Sequence, residues 1–587
     1  MIAALLAVTL TVGSGDTLLF GTTSAPGLEV SPADPNRAFI ADSETDPGIY
    51  PLRTATGQSL ALVTPSYGLA GNLNCSESSP FNTPRLGGFW LEPTGPTRGW
   101  IHTSACELAV PFNYATGAGV TISYSGQTRT AVPTRQTLTG AFTRYQNGGG
   151  GAAITSFKTN FTAGALRIGN RLLVVTSNVQ TAGSNPVYNP GTVLFFDFDD
   201  SGAKPVVTPA DPFFAVTSDP NPLALTDLGG GRVAVTNAGI ADASFPPLVT
   251  GQGSIDVLDV ATGRLVGSIP LGAGNPGGRG LALDPTGSVA VAGSQTYRRL
   301  YAVDVRGLAA LPPASVDPRL QRPSCNDVAG DSAGGVPCLR ARVIRGGANP
   351  IALAPPPGGS GLFSYVPQVR FGASGDFVVA TSFNDGGVAL AAFDPRNLAV
   401  GLPLLPSRFG PPQTLAAVSG SGALGAECCP GPMVLRASAS GTLPGTSVIF
   451  ATGTPNGFAV RGHLAGTLTA PSGDADGDGV QDAVDDCPIA PNAAQTDTGG
   501  IGAAGPDGVG DACQCGDVSD DGRVTQTDVD ALRAFLAGGH PLAAPQKCDV
   551  ARGTSAGACD VLDAVLLRRA LALAAPAIEP VCAAFLP

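Results

Sequence analysis

Carboxylate side chains, the groups of this chain best suited to chemistry, crowd into one stretch near its C-terminus. Between Asp474 and Asp530 there are fourteen Asp, no Glu and one basic residue, Arg523, so this stretch carries a net charge of −13. The whole 587-residue chain carries −12, and the remainder therefore sums to about +1. A solvated acidic tail has no spaced Gly and Cys, whereas this stretch has both. The pattern indicates a cation site and no basic surface for nucleic acid.

The first part of this stretch has the spacing of a calcium-binding loop. Carboxylates occupy positions 1, 3, 5, 9 and 12, Gly479 occupies position 6, and a backbone carbonyl is available at position 7. Ca²⁺ takes six to eight oxygen ligands, and alternate side chains of a short loop converge on one ion only where a Gly permits the turn. The candidate ligands are Asp474, Asp476, Asp478, the Val480 carbonyl, Asp482 and Asp485.

A second loop with the same spacing begins directly after Cys515 and Gly516. It runs into an apolar pattern of helical period, which predicts a helix after the loop and none before it. The candidate ligands of this loop are Asp517, Ser519, Asp521, the Arg523 carbonyl, Thr525 and Asp528.

A third loop, from Asp549 to Asp560, is degenerate, because Ala551 and Gly553 occupy its positions 3 and 5. It keeps carboxylates at positions 1 and 12, Asp549 and Asp560, with Asp563 as an extra candidate. A helix is predicted over 561–573. Capping explains one Asp for each helix, and the alternative of an ordinary helical hairpin with acidic caps stays open.

The first loop and the residues that follow it resemble the thrombospondin type 3 repeat. The residues that carry the resemblance include Asp486-Cys487-Pro488 and the run from Asp507 to Cys513. The resemblance implies several bound Ca²⁺ ions, with a second one held by Asp497, Asp507 and Asp511. A Gly- and Ala-rich insertion over 498–506 replaces part of the family pattern, which weakens the prediction for that second ion.

The second and third loops, each followed by a helix, resemble the two halves of a dockerin, which is an EF-hand-related Ca²⁺ module. The resemblance implies a cohesin-like or other surface protein as partner, contacted at the place of Leu566-Leu567-Arg568-Arg569. The defect of the third loop leaves open a module that no longer recruits a partner and only forms a terminal cap.

Twelve cysteines with three His and no tight Cys-x-x-Cys array favour disulfides over zinc, and hence an oxidising compartment. An apolar run within residues 1–14 has the length of a secretory signal peptide but no basic residue before it, so a first strand is the alternative. No stretch approaches ~20 apolar residues, and no transmembrane segment is predicted. The predicted disulfide pairs are Cys75 with Cys106, Cys325 with Cys338, Cys487 with Cys513, and Cys548 with Cys559.

The region 18–468 consists of short apolar or alternating runs bounded by Gly, Pro, Asn and Asp, which indicates a β-sandwich, barrel or propeller. Between Ser254 and Val305, two turns, Asp259 to Gly263 and Asp284 to Gly287, separate such runs. This segment resembles the repeat of YVTN and WD40-like β-propellers, and implies about six or seven blades. An irregular array of β-sandwiches is the alternative.

The sequence therefore predicts a mainly β protein with a signal peptide (1–14), a β-propeller-like domain (18–468), a type 3 segment (474–513) and a dockerin-like domain (515–582). We expect a secreted or cell-surface Ca²⁺-binding protein, active in adhesion or scaffold docking, whose propeller recognises carbohydrate or matrix. The alternative is a polysaccharide-degrading hydrolase or lyase, although His102, His463 and His540 are scattered and no nucleophile motif lies on a suitable turn.

Overall fold

The computed structural model describes the following residues, and the statements below concern these residues alone: 17–20, 27–42, 47–54, 61–69, 86–95, 97–104, 106–146, 151–182, 185–240, 253–272, 276–294, 299–321, 332–343, 351–352, 368–371, 377–382, 387–392, 413–415, 433–436, 447–454, 457–461, 476–480, 486–487, 490–501, 509–550 and 559–572. The predicted signal peptide and the cysteines Cys75 and Cys325 lie outside them.

The first described strands form two antiparallel sheets. The first strand of the chain is β1 (Thr17–Phe20). The first sheet contains β2 (Leu28–Ser31), β3 (Asp34–Asp42), β4 (Gly48–Arg53), β5 (Ala61–Leu62) and β6 (Tyr67–Gly68). The second sheet contains β7 (Leu86–Leu91), β8 (Arg98–Thr103), β9 (Leu108–Asn113) and β10 (Ala118–Gly119), with β13 (Val132–Pro133) beside β9.

The third sheet is extended by a hairpin and accompanied by a separate inserted sheet. The hairpin strands are β11 (Ile122–Tyr124) and β12 (Gln127–Arg129). The inserted sheet contains β14 (Thr137–Gln146), β15 (Gly151–Lys158), β18 (Val179–Ala182) and β19 (Asn185–Tyr188). The third sheet itself contains β16 (Thr162–Ile168), β17 (Arg171–Thr176), β20 (Thr192–Asp199) and β21 (Val206–Val216).

Four further sheets complete the β region. The fourth contains β22 (Pro222–Gly229), β23 (Arg232–Asn237), β24 (Gly253–Asp259) and β25 (Leu265–Gly272), and the fifth contains β26 (Pro276–Leu283), β27 (Val289–Ser294), β28 (Arg299–Asp304) and β31 (Ile351–Ala352). A small hairpin, β29 (Ser332–Ala333) and β30 (Val336–Pro337), lies between β28 and β31 in the chain. The sixth contains β32 (Gln368–Phe371), β33 (Phe377–Ser382), β34 (Gly387–Ala392) and β35 (Gln413–Leu415), and the seventh contains β36 (Met433–Arg436), β37 (Ser447–Thr454), β38 (Gly457–Arg461) and β1.

These seven sheets close into a ring, and the fold is a β-propeller. One edge strand of each sheet contacts the corresponding strand of the next sheet, in the order β2, β7, β16, β22, β26, β32, β36 and back to β2. The ring is fastened by β1, which pairs antiparallel with β38, with Thr17 opposite Arg461 and Phe20 opposite Phe458. Among the described residues there are thus seven blades, which is within the range that the sequence predicts.

Packing between neighbouring blades explains why the central strands are apolar on both faces. In β17, the residues Leu172, Leu173, Val174 and Val175 are all fully buried. Leu172 and Val174 pack in one cluster, with the second blade, whereas Leu173 and Val175 pack in another, with the fourth. Alternate side chains of a strand point to opposite faces of its sheet. A strand between two other blades therefore needs apolar residues at every position.

The two turns that carry the propeller resemblance are held by their aspartates. The Asp259 Oδ1 accepts hydrogen bonds from the backbone nitrogen and the hydroxyl of Thr262, each at 2.7 Å. The Asp284 Oδ1 likewise accepts from the backbone nitrogens of Ser288 (2.6 Å) and Val289 (2.7 Å). A short acidic side chain that hydrogen-bonds the following backbone fixes such a turn.

A buried ionic cluster joins the second blade to the third. The Glu92 carboxylate accepts hydrogen bonds from Arg98 (Nε, 2.7 Å), from the Trp100 indole (2.8 Å) and from Arg167 (3.0 Å). Both guanidinium groups also lie against the Phe198 ring, at 4.6 and 4.5 Å from its centroid. The cluster links strands that are distant in sequence.

Two helices lie in the C-terminal part of the chain, α1 (Gln526–Leu536) and α2 (Val561–Ala572). They contact each other and enclose a small core of apolar residues, which includes Val518, Val529, Leu532 and Leu567. We call the residues 515–550 and 559–572 the C-terminal module. No helix in the described parts of the chain has the length and apolar character needed to cross a membrane.

Candidate metal centre

Three carboxylates converge in the loop from Asp517 to Asp528, which we call the first module loop. Asp517, Asp521 and Asp528 each offer an oxygen atom, and these atoms lie within 4.8 Å of one another. Asp517 and Asp528 are fully buried, whereas Asp521 is exposed. Three acidic oxygens at this separation can share one divalent cation, and oxygen ligands suit a hard cation such as Ca²⁺.

The backbone of the first module loop curls around the Asp517 carboxylate. One oxygen of this carboxylate accepts a hydrogen bond from the Asp521 nitrogen (3.0 Å), and the other accepts from the Gly522 nitrogen (3.1 Å). Gly522 has a φ of 81°, in the left-handed region that glycine tolerates best. The glycine at position 6 therefore makes the turn that the sequence pattern predicts.

Helix α1 places Asp528, the last candidate ligand of the loop. Thr525 is the N-cap of the helix, and Asp528 completes a capping box by accepting a hydrogen bond from the Thr525 nitrogen at 2.7 Å. The other Asp528 oxygen accepts from the nitrogen (3.0 Å) and the hydroxyl (2.8 Å) of Ser519. One carboxylate thus ties the helix start to the opposite side of the loop and presents oxygen to the centre.

The centre concentrates negative charge in a desolvated place. Burial raises the pKa of Asp517, and the nearby Lys547 ammonium opposes this effect. A buried carboxylate cluster is unfavourable unless a cation or hydrogen bonds compensate its charge. The oxygen donors, their separation and their burial fit Ca²⁺, and the residues that would hold it are Asp517, Asp521 and Asp528, with Ser519 next to them.

The third loop differs from the sequence prediction in its register. Counting twelve residues from Asp549 makes Asp560 the final ligand, whereas in hydrogen bonding Asp563, the extra candidate, has the place that Asp528 has in the first module loop. The Asp563 carboxylate accepts hydrogen bonds from the nitrogens of Val550 (2.9 Å) and Asp560 (2.7 Å), as Asp528 does from Ser519 and Thr525. Asp560 therefore matches the N-cap Thr525, because the loop between Asp549 and this helix is three residues longer.

Disulfides join the ends of two segments in the C-terminal part of the chain. Cys487 is bonded to Cys513, and Cys548 is bonded to Cys559 across the third loop. Cys106, Cys338 and Cys515 are also disulfide-bonded. Within the described residues no cysteine is free.

The acidic segment before the module, which comprises the described residues within 476–513, is organised by residues that carry the resemblance to the type 3 repeat. Asp478 accepts hydrogen bonds from the nitrogens of Val480 (2.8 Å) and Asn492 (2.7 Å). Asp511 accepts from the nitrogen (2.8 Å) and the hydroxyl (2.7 Å) of Thr498, which belongs to the insertion. Of the predicted ligands here, Asp476 and Asp497 are also described. The predicted ligands Asp474, Asp482, Asp485 and Asp507 lie outside the described residues.

The exposed face of α2 includes Arg568 of the predicted partner-binding run and three apolar residues that precede this run. Leu567, in the predicted partner-binding run, is fully buried in the module core. Val561, Leu562 and Val565 are instead 69%, 42% and 54% exposed. Consecutive helical residues cannot all face outward, since about 3.6 residues make one turn.

An open cavity lies on the described part of the propeller, and no feature of the sequence predicts it. It has a volume of about 550 Å³ and lies on the third blade, between the β16–β17 turn and the β20–β21 loop. Its lining includes Arg167, Asp197, Asp199, Asp200 and Ser201. Carboxylates and a guanidinium could bind a polar ligand, but their spacing in the sequence follows no known catalytic pattern.

Comparison with known proteins finds similarity only among solved structures. No protein-family model matches the chain, and no curated protein matches it. Among solved structures, the chain is similar to the β-propeller domain of Myceliophteria thermophila Cps50 (Swd1), with 11% sequence identity and a TM-score of 0.39. The match covers 76% of this chain and 98% of that domain.

Proposed function

We propose that the protein is a secreted or cell-surface Ca²⁺-binding protein, in which the C-terminal module binds Ca²⁺ and docks to another surface protein while the propeller recognises a carbohydrate or matrix ligand. The observation that supports this proposal is the convergence of Asp517, Asp521 and Asp528 within 4.8 Å. Disulfides at Cys487–Cys513 and Cys548–Cys559 agree with an oxidising compartment.

The docking part of the proposal is supported by the surface of α2. Val561 and Val565 are one helical turn apart and both more than half exposed, and Leu562 lies beside them. An exposed apolar patch on a small module is typical of a protein interface. The dockerin resemblance suggests a cohesin-like domain as partner. Binding of the full chain to a panel of cohesin domains should depend on millimolar Ca²⁺ and be lost in Val565→Asp.

Calorimetric titration of the oxidised full chain with Ca²⁺ tests the metal part, and Asp521→Asn is the informative variant. The Asp521 Oδ1 accepts a hydrogen bond from the Arg523 nitrogen at 3.0 Å, and an Asn amide oxygen can accept the same bond. The metal-free loop should therefore keep its shape. Loss of one charged ligand should weaken Ca²⁺ binding by about 100-fold, since a unit charge in direct contact with a divalent ion contributes several kcal/mol.

Asp530→Asn is the matched control, because Asp530 lies on α1, is exposed and accepts a hydrogen bond from the Gln526 side chain at 3.0 Å. It should leave the Ca²⁺ affinity within about twofold of the wild-type value, since exposed charges at a distance are screened. The proposal is wrong if the wild-type chain does not bind Ca²⁺, or if Asp521→Asn leaves its Ca²⁺ binding unchanged.

A further inference from the structure

Lys547 is a buried cation beside the first module loop. The chain has only three lysines, Lys158, Lys204 and Lys547, among its 33 basic residues. The Lys547 side chain is 1% exposed, and its ammonium contacts Asp517 Oδ2 (3.1 Å) and Asp520 Oδ1 (2.6 Å). A lysine is almost never fully buried unless it is paired. The ammonium is thus compensated by the carboxylates of the same loop that offers oxygens to a metal.

The same ammonium joins three segments of the chain. Besides its two carboxylate partners, it donates a hydrogen bond to the Asp511 carbonyl at 2.8 Å, at the end of the acidic segment. Lys547 directly precedes Cys548 of the Cys548–Cys559 disulfide. The Lys547 backbone carbonyl accepts a hydrogen bond from the Gly516 nitrogen at 2.8 Å. The acidic segment, the first module loop and the third loop therefore meet at one side chain.

The contacts around Lys547 show that the acidic segment packs directly on the first module loop. The Val524 nitrogen donates to the Gly500 carbonyl at 3.3 Å, beside a bridge between Ile501 and Val524. A Cβ placed on Gly522 would lie 2.6 Å from an Asp511 carboxylate oxygen. The first module loop is therefore supported by contacts with the acidic segment as well as by its own hydrogen bonds.

From this geometry we propose that Lys547 is a built-in cation that keeps the first module loop formed when Ca²⁺ is absent, and that lowers the affinity of the loop for Ca²⁺. This inference rests on the proposed function. Asp517 would be shared by the ammonium and the metal, so the two cations repel each other, but each stabilises the same arrangement of carboxylates. Lys547 is a positioning residue in this arrangement.

The inference predicts that one substitution raises the Ca²⁺ affinity of the loop and lowers the stability of the loop without Ca²⁺. Lys547→Met keeps most of the length of the side chain and removes its charge. For cations about 6 Å apart, the repulsion between a unit and a divalent charge weakens binding about tenfold even at the dielectric constant of water. The formed loop of Lys547→Met should therefore bind Ca²⁺ about tenfold more tightly than that of the wild-type chain. Without Ca²⁺, the loop of the variant should open more often while staying formed most of the time, so that its opening lowers the observed affinity by less than about twofold.

Two measurements on the oxidised full chain test these effects. Calorimetric titration with Ca²⁺ gives the affinity of the first module loop, whose binding is the one that Asp521→Asn weakens. Hydrogen exchange of peptides from the module, with Ca²⁺ or a chelator, gives the local protection of α1. Lys547→Arg should stay within about threefold of the wild-type affinity, because it restores the charge, and Lys204→Met is the control for an exposed lysine on the propeller.

The expected result for Lys547→Met is tighter Ca²⁺ binding together with protection of α1 that is lowered in chelator and restored by Ca²⁺. Unchanged or weaker binding would overturn the inference, and so would protection that stays at the wild-type level in chelator or is not restored by saturating Ca²⁺. If the wild-type loop binds no Ca²⁺, the proposed function fails. The protection of α1 in chelator still reports whether Lys547 supports the loop.

Discussion

Replacing Glu92 with Gln should destabilise the propeller, because Glu92 is the carboxylate that holds two buried guanidinium groups together. Its side chain is 3% exposed, and those of Arg98 and Arg167 are 5% and 15% exposed. With Asp200 the cluster is electrically neutral, since Asp200 contacts Arg98 at 2.8 Å and Arg167 at 3.1 Å. Glu92→Gln leaves the cluster with a net charge of +1 inside the blade interface.

The size of the effect follows from the hydrogen bonds that Gln cannot accept. Glu92 accepts from Arg98 at 2.7 and 3.1 Å, from Trp100 at 2.8 Å and from Arg167 at 3.0 Å, using both carboxylate oxygens. The amide nitrogen of Gln would face a guanidinium donor and lose at least one charge-assisted bond. Removal of one partner of a buried ion pair costs about 3 to 5 kcal/mol, because the remaining charge is left uncompensated.

Urea unfolding followed by tryptophan fluorescence measures this cost. The chain has two tryptophans, Trp90 and Trp100, and both lie in the second blade, so the signal reports on the blade that holds Glu92. Asp317→Asn is the control, since its pair with Arg319 is 38% and 56% exposed and should contribute less than about 1 kcal/mol. A loss below about 1 kcal/mol in Glu92→Gln would refute the reasoning.

Three further changes test other parts of the structure. Burial raises the pKa of Glu107 to about 7, so the stability that its protonated form provides is present below pH 4.5 and is lost as pH rises through about 7. Glu107→Gln should remove up to about 3 kcal/mol of this pH dependence of the unfolding free energy, as measured by urea unfolding at pH 5 and pH 8. Gly522→Ala should destabilise the module more than Gly538→Ala, as measured by hydrogen exchange. Both glycines have a φ near 80°, but a Cβ at Gly522 would meet the Asp511 carboxylate, whereas the space around Gly538 is open. Thr525→Ala should lower the stability of α1 by about 1 kcal/mol through loss of its N-cap, measured by the same method.

Strands and turns of the propeller could be predicted because their signals are local. The turn at Asp259 needs only residues within five positions, and the apolar run Arg171–Thr176 is visible in the sequence. The number of blades could not be predicted, because it depends on contacts between edge strands of different sheets. The closing pair, Thr17 with Arg461, joins residues more than 400 positions apart and leaves no local pattern.

The first module loop could be predicted because its twelve-residue spacing is intact, whereas Lys547 was missed. It lies in a Pro-Gln-Lys-Cys stretch that resembles an ordinary solvated loop, and only the fold brings it to Asp517 and Asp511. A residue that acts through a contact across thirty positions has no signature in the residues around it. The unusual scarcity of lysine in the chain was the one signal available.

The register of the third loop shows which part of a loop–helix unit the sequence determines. In both halves a side chain at the helix start is followed three residues later by a carboxylate that turns back onto the loop, Thr525 with Asp528 and Asp560 with Asp563. This spacing is set by the geometry of one helical turn and cannot vary, whereas the loop before it can take extra residues. Counting from the helix start gives Asp563, the extra candidate, the same place as Asp528. Because the Asp563 carboxylate is already occupied by two backbone nitrogens and the Cys548–Cys559 disulfide closes the loop, the third loop can keep its ends together without a metal.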